Sequence, residues 1–206
     1  MPKVVVSDGL VDYLDAIASM QAKVSAIQNG AEEEVWFLEH PPIFTLGTSA
    51  TRSDVLRESF PIYESQRGGK VTYHGPGQLI AYVMLDLKKR NNDLRAYVSS
   101  LEEWIIQTLA NYNIQGVRKS GRIGVWLDDS KGERKIAAIG VRITKGITWH
   151  GISLNVCPNL NHYQAIIPCG LQNFGVTSML DEGITTEVKA VQQVMIKSME
   201  GLLTLP

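Results

Sequence analysis

With 206 residues, 44% of them apolar and 20% charged, the chain has the composition of an ordinary soluble protein and the length for one domain with a real core. A net charge of −1 gives no support to nucleic-acid binding or to polybasic membrane contact, and no window approaches the ~18 apolar residues of a membrane span. Two cysteines, Cys157 and Cys169, are too few for a disulfide framework, and MPKVVVSDGL carries no visible secretory signal; the expectation is a cytoplasmic protein with reduced thiols.

Residues 8–29 place Leu10, Tyr13, Leu14, Ile17, Met20, Val24 and Ile27 at spacings of three and four, which predicts a helix with Gly30 as its C′ residue. A strand over Val35–Leu38 runs into Glu39-His40-Pro41-Pro42, and a second, Ile43–Leu46, stops at Gly47. Residues 48–60 read as loop or short helix, and 62–65 lead into a glycine-rich stretch. Leu79–Leu85 is nearly continuously apolar, as expected of a strand covered on both faces. A second helix, capped by Asn91 or Asn92, turns Leu94, Tyr97, Val98, Leu101, Trp104, Ile105 and Leu109 inward. Gly124–Leu127, Ile136–Arg142 and Thr148–Val156 read as strands, with a hairpin loop at Asp128–Gly132. The last helix, roughly 187–203, buries Val188, Val191, Met195, Met199 and Leu202. With no repeat, low-complexity segment or linker, the expected architecture is α+β, a single domain over 1–206 with a mostly antiparallel central sheet flanked by helices.

The chemistry concentrates around RGGKVTYHGPGQ, residues 67–78. Gly68-Gly69 permits positive φ and close approach, and Gly75-Pro76-Gly77 signals a turn, with a short strand over Lys70–Tyr73 between them. Backbone N–H groups, Arg67 and His74 would then surround a concave site suited to a carbonyl or phosphate oxygen. An ordinary Gly-rich hairpin with incidental charges explains the composition equally well.

Cys169 lies between Pro168, which stiffens its approach, and Gly170, which cannot shield the sulfur. As a nucleophile it needs a nearby cation or base; a lone cysteine is more often a small buried hydrophobe. Cys157 competes with it but looks like the residue after a strand end. Lys135 opens the apolar run Ile136–Val141, where partial desolvation would let it exchange protons near neutrality; in the charged segment Lys131–Lys135 a solvated lysine is the simpler reading. Gly140 and Gly151, in or beside strands, mark possible close approach by a ligand. His40, His74, His150 and His162 lack metal-site spacing, and no phosphate-binding or dinucleotide glycine motif is present.

Three blocks, RGGKVTYHGPGQLIAYVMLDL (67–87), KIAAIGVRITKGITWHGISLNV (135–156) and IIPCGL (166–171), with the weaker EHPPIFTLG (39–47), resemble in order the lipoyl(octanoyl) transferase family. The resemblance implies a fold akin to the biotin and lipoate protein ligase catalytic domain. It also implies transfer of an octanoyl group from octanoyl-acyl-carrier protein to a lysine of lipoyl domains, the first step of endogenous protein lipoylation. Those acceptors would be the E2 subunits of 2-oxoacid dehydrogenases and the glycine cleavage H protein, with no cofactor, metal, nucleic acid or membrane involved. The family's nucleophile falls on Cys169 and its partner lysine on Lys135. Its acyl-binding segments fall on Arg67, Gly68, Gly69, Lys70, Val71, Thr72, Tyr73 and His74, on Ala138, Ile139 and Gly140, and on Gly151, Ile152 and Ser153. Val71, Tyr73, Ala138, Ile139 and Ile152 are the side chains expected to form an apolar wall. An ATP-dependent lipoate or biotin ligase, an acyl-thioester hydrolase and a non-enzymatic binding module are the rival readings.

Overall fold

Gln78–Met84, strand β6, has all seven residues buried, because it has neighbours on every side. Strands β2 (Glu34–Glu39) and β10 (Ile147–Asn155) pair antiparallel with its two edges. Leu79, Ala81 and Val83 enter one core with α2 (Leu94–Ala110) and α3 (Val188–Ser198). Ile80, Tyr82 and Met84 enter another with α1 (Tyr13–Gln28). The twofold alternation of a strand thus divides one apolar run between two cores.

Beyond β10 the sheet continues antiparallel through β9 (Gly132–Thr144), β8 (Arg122–Asp129) and β7 (Val117–Lys119). β1 (Lys3–Leu10) adds parallel to β2 at the other end, and β11 (Gly175–Val176) adds parallel to β9. A second sheet has β3 (Ile43–Leu46) between β4 (Ile62–Glu64) and β5 (Val71–His74), and its core holds Phe44, Tyr73 and Ile166. This is the α+β class read from the sequence, mostly antiparallel with helices on both faces. The computed structural model describes residues 1–167, 174–199 and 201.

Several local expectations change. The chain enters α1 only at Tyr13, where the Asp12 carboxylate accepts the Leu14 and Asp15 N–H groups at 2.8 and 3.3 Å. Leu10 belongs to β1, and Leu10 and Leu14 are exposed rather than part of the buried stripe. The helix does end at Gly30, with φ +92°: the N–H groups of Gly30 and Ala31 donate to Ile27 and Ala26 carbonyls, each at 3.0 Å. Asn91 and Asn92 do not cap α2; both are left-handed, Asn91 closing the short 3-10 turn over Leu87–Arg90, and the α2 cap is Asp93, whose carboxylate accepts the Ala96 N–H at 2.9 Å. Leu94 is exposed, and Leu202 and Cys169 lie outside the described residues.

Candidate active site

Strand β8 leaves β9 early. Their pairing ends at Val125–Ala137, where Gly124, at φ +120°, turns β8 aside. Residues 138–141 of β9 therefore have an open edge, and the glycine-rich segment settles against it: the Gly68 N–H donates to the Val141 carbonyl at 2.9 Å. A Cβ on Gly140 would stand 3.0 Å from the Gly68 carbonyl and 3.1 Å from Arg67 Cδ, so glycine at 140 lets this segment settle without pushing its neighbours back. The glycine at 151 has another cause, since a Cβ there would meet the Ala81 carbonyl of β6 at 2.2 Å; a neighbouring strand, not a ligand, accounts for it.

Between these elements lies a cavity of about 850 Å³. Arg67, Gly68, Gly69, Lys70, Val71, Thr72 and His74 line it, together with Lys135, Ala138, Ile139, Gly140, Gly151, Ile152 and Ser153. Tyr73, expected on the wall, faces away into the core of the small sheet, with its hydroxyl 2.8 Å from His162 Nδ1. Period-two alternation sends it opposite to Thr72 and His74.

Arg67 holds the loop that carries it. Its Nε and Nη2 donate to Thr45 Oγ1 at 3.2 and 2.9 Å, Nη2 also to the Thr45 and Lys70 carbonyls at 2.7 and 2.9 Å, and Nη1 to the Gly68 carbonyl at 3.0 Å. These bonds make it a clamp on β3 and the glycine turn more than an anion receptor. Lys135 is not the solvated lysine its charged neighbours suggest. Its Nζ donates to the Ile123 carbonyl at 3.1 Å and sits 4.7 Å from the centre of the Trp126 ring, on the cavity surface.

One part of the lining is aromatic and polar, contributed by Tyr13, His74, Tyr82 and His150. His40 Nε2 and the Tyr82 hydroxyl are 2.7 Å apart, and His74 Nδ1 lies 2.6 Å from Gln78 Oε1. Burial keeps the imidazoles neutral: it lowers His40, takes His74 well below its ordinary value, and, with Arg67 and Arg142 nearby, brings His150 down to about 3. Tyr13, Tyr82, His150 and Glu102 were not foreseen as cavity residues, because nothing in their local sequence separates them from core or surface positions.

The fold is the one shared by the catalytic domains of lipoate and biotin protein ligases. A lipoate-protein ligase A solved with ATP superimposes at a TM-score of 0.77 over 99% of this chain and 86% of its own, at 13% identity. A putative lipoate protein ligase from T. acidophilum with bound lipoic acid gives 0.76 over 100% and 87%, at 14% identity. The Aquifex aeolicus biotin protein ligase with biotin and ATP gives 0.61 over 98% and 71%, at 14% identity.

Within that class, the chain belongs to the lipoyl protein ligase A/B catalytic domain family, whose model matches residues 12–200. Relatives named octanoyltransferase include one from Bartonella bacilliformis, 51% identical over 96% of this chain and 86% of its own length. Another, from Paramagnetospirillum magneticum, is 54% identical over 87% and 86%. A third, from Brucella melitensis, is 49% identical over 96% and 79%.

Proposed function

We propose that this protein is an octanoyltransferase acting in protein lipoylation, taking the octanoyl group from octanoyl-acyl-carrier protein and passing it to a lysine of a lipoyl domain. The observation that carries the reading is the cavity itself. Ala138, Ile139 and Ile152 give it an apolar wall, Val71 joining Tyr73 in the small-sheet core behind it, and Lys135 stands on the same surface. The names of relatives at about 50% identity point to the same acyl group.

In the proposed reaction the Cys169 thiolate attacks the thioester carbonyl of the donor, and the carrier thiol leaves. The acceptor lysine amine then attacks the acyl-enzyme, an amide forms, and Cys169 departs as thiolate. Exchange of one thioester for another is near balance, whereas thioester to amide runs downhill, so the second step drives turnover. As ammonium, Lys135 favours the thiolate; once neutral, it accepts the proton of the incoming amine.

The deciding experiment is mass spectrometry after incubation with octanoyl-acyl-carrier protein. The expected result is a gain of one octanoyl group that disappears when a lipoyl domain is added. An ATP-dependent ligase is the rival that shares this fold. Activity of Cys169→Ser with free octanoate and ATP would establish that rival, and full-rate release of octanoate without acceptor would establish a hydrolase.

A further inference from the structure

Glu102 has no part in the chemistry above, yet it lies on the same cavity as Lys135. It is carried by α2 and is only 8% exposed. Its Oε1 accepts the Gly124 N–H at 3.0 Å, and its Oε2 lies 3.3 Å from Arg118 Nε. The Gly124 nitrogen belongs to the same peptide unit as the Ile123 carbonyl, which accepts Lys135 Nζ at 3.1 Å. One amide is therefore held by a carboxylate on its N–H and by an ammonium on its oxygen. Each charge polarises the amide in the sense that strengthens its bond to the other.

The local backbone shows why such a hold is needed. Gly124 has φ +120°, and a Cβ there would come within 2.7 Å of the Ala137 carbonyl and 3.3 Å of Lys135 Cε. Here β8 has already left the ladder of β9, and on its other edge the pairing with β7 is irregular, shifting register between Lys119–Arg122 and Val117–Trp126 across this peptide. The Ile123 side chain gives no anchorage either, being 55% exposed. Among the described residues, the side-chain bond recorded to this amide's N–H is that of Glu102.

We infer that Glu102 is a positioning residue for acyl transfer: through the Ile123–Gly124 peptide it fixes where the Lys135 ammonium stands. The inference rests on the acyl-transfer reading of the site. The test is single-turnover acylation of Glu102→Leu, Glu102→Gln and Gly124→Ala, each alone and combined with Lys135→Ala. Leucine retains bulk but removes the acceptor, whereas glutamine retains an oxygen for the Gly124 N–H.

At saturating donor, Glu102→Leu is expected to slow acylation by ~10- to 100-fold, the range expected when a catalytic group is displaced by about 1 Å. The donor KM should stay within about threefold, and Glu102→Gln should recover most of the rate. In the Lys135→Ala background, Glu102→Leu should cost little more, since its effect runs through that lysine. Gly124→Ala should also slow acylation, because its methyl strains the peptide and presses on the Lys135 stem directly; if the leucine variant fails to fold, Glu102→Ala supplies the test of the carboxylate. Equal proportional losses with and without Lys135, or glutamine as slow as leucine, would overturn the role of Glu102. A parent protein that takes up no acyl group would instead overturn the reading of the site.

Discussion

At Arg67 the guanidinium donates to the oxygens of Thr45, Gly68 and Lys70, all on the loop and strand that shape the cavity, and the residue is only 8% exposed. At Lys135 the ammonium has a recorded bond to the Ile123 carbonyl and an aromatic face beside it, and the group fronts the cavity. Both cations line one pocket, but the first gathers several carbonyls of its own turn and strand, whereas the second stands at the cavity surface, held by the Ile123 carbonyl beside the Trp126 ring. The difference follows from where each stands. Arg67 enters a turn with several inward-pointing carbonyls, whereas Lys135 leaves a strand whose neighbour is about to peel away. Mutating the two should therefore separate folding from chemistry.

The largest expected effect lies with neither of them. Cys169→Ala should abolish transfer, while Cys157→Ala should keep most of it; Cys157 follows β10, and burial, then Glu39, raises its thiol away from the reactive form. Acyl-enzyme mass spectra of both variants check this, and equal losses would remove the basis for choosing between the cysteines. Next, Lys135→Ala should slow acylation by ~10²- to 10⁴-fold without lowering the melting temperature, and Lys135→Arg should do little better because arginine cannot act as base. Near-normal rates in Lys135→Ala would make this lysine an ordinary surface cation.

Arg67→Ala should show the converse, a loss of stability. Removing bonds from a buried charged donor leaves several carbonyls without it, and a cost of about 3 kcal/mol corresponds to roughly 6–12 °C in Tm for a chain of this size. Calorimetry of the two alanine variants side by side sharpens the contrast, and an unchanged Tm for Arg67→Ala would break it. On the cavity wall, shortening the donor from eight carbons to four should weaken binding by roughly 3 kcal/mol, at ~0.8 kcal/mol per methylene. Ala138→Leu should shift preference toward shorter donors; a donor series flat in both proteins would rule out an acyl slot along β9.

The smallest effect concerns acid. The folded-state values of His40, His74 and His150 are all lowered, so the unfolded chain binds their protons first. Their contribution is present above about pH 6.5 and is lost as pH falls toward the folded values, about 3 for His150. At pH 5.5 the lowered value of His150 alone costs on the order of 1.4 kcal/mol. Asparagine tolerates the left-handed backbone at position 150, where φ is +59°. Urea unfolding of His150→Asn between pH 7 and 5 should accordingly show a shallower decline than the parent, and identical slopes would mean that His150 titrates normally.

The cavity segments were legible because their glycines and Lys135 follow one another in a family-specific order. Glu102 was not, since one acidic residue on an amphipathic helix looks like any solvated one until its hydrogen-bond partner is known. Tyr73 was placed on the wall because its segment borders the cavity, although strand alternation turns its ring into the small-sheet core. β1 went unread because three valines make a weak run, and their strand exists by pairing parallel to β2.

By itself, the sequence determined the elements whose signals are local. These are the apolar run of β6, the α2 stripe centred on Leu101, Trp104 and Ile105, the Gly30 stop, and the glycines that let backbones meet. The tertiary structure alone decided which strand lies beside which and how far β8 follows β9. It also decided whether a charged side chain serves the backbone or the cavity. Those outcomes depend on groups far apart in sequence, such as Glu102 with Gly124 and Arg67 with Thr45. A burial pattern along the chain records that a residue is inside, while the identity of its partner is set only when the layers close.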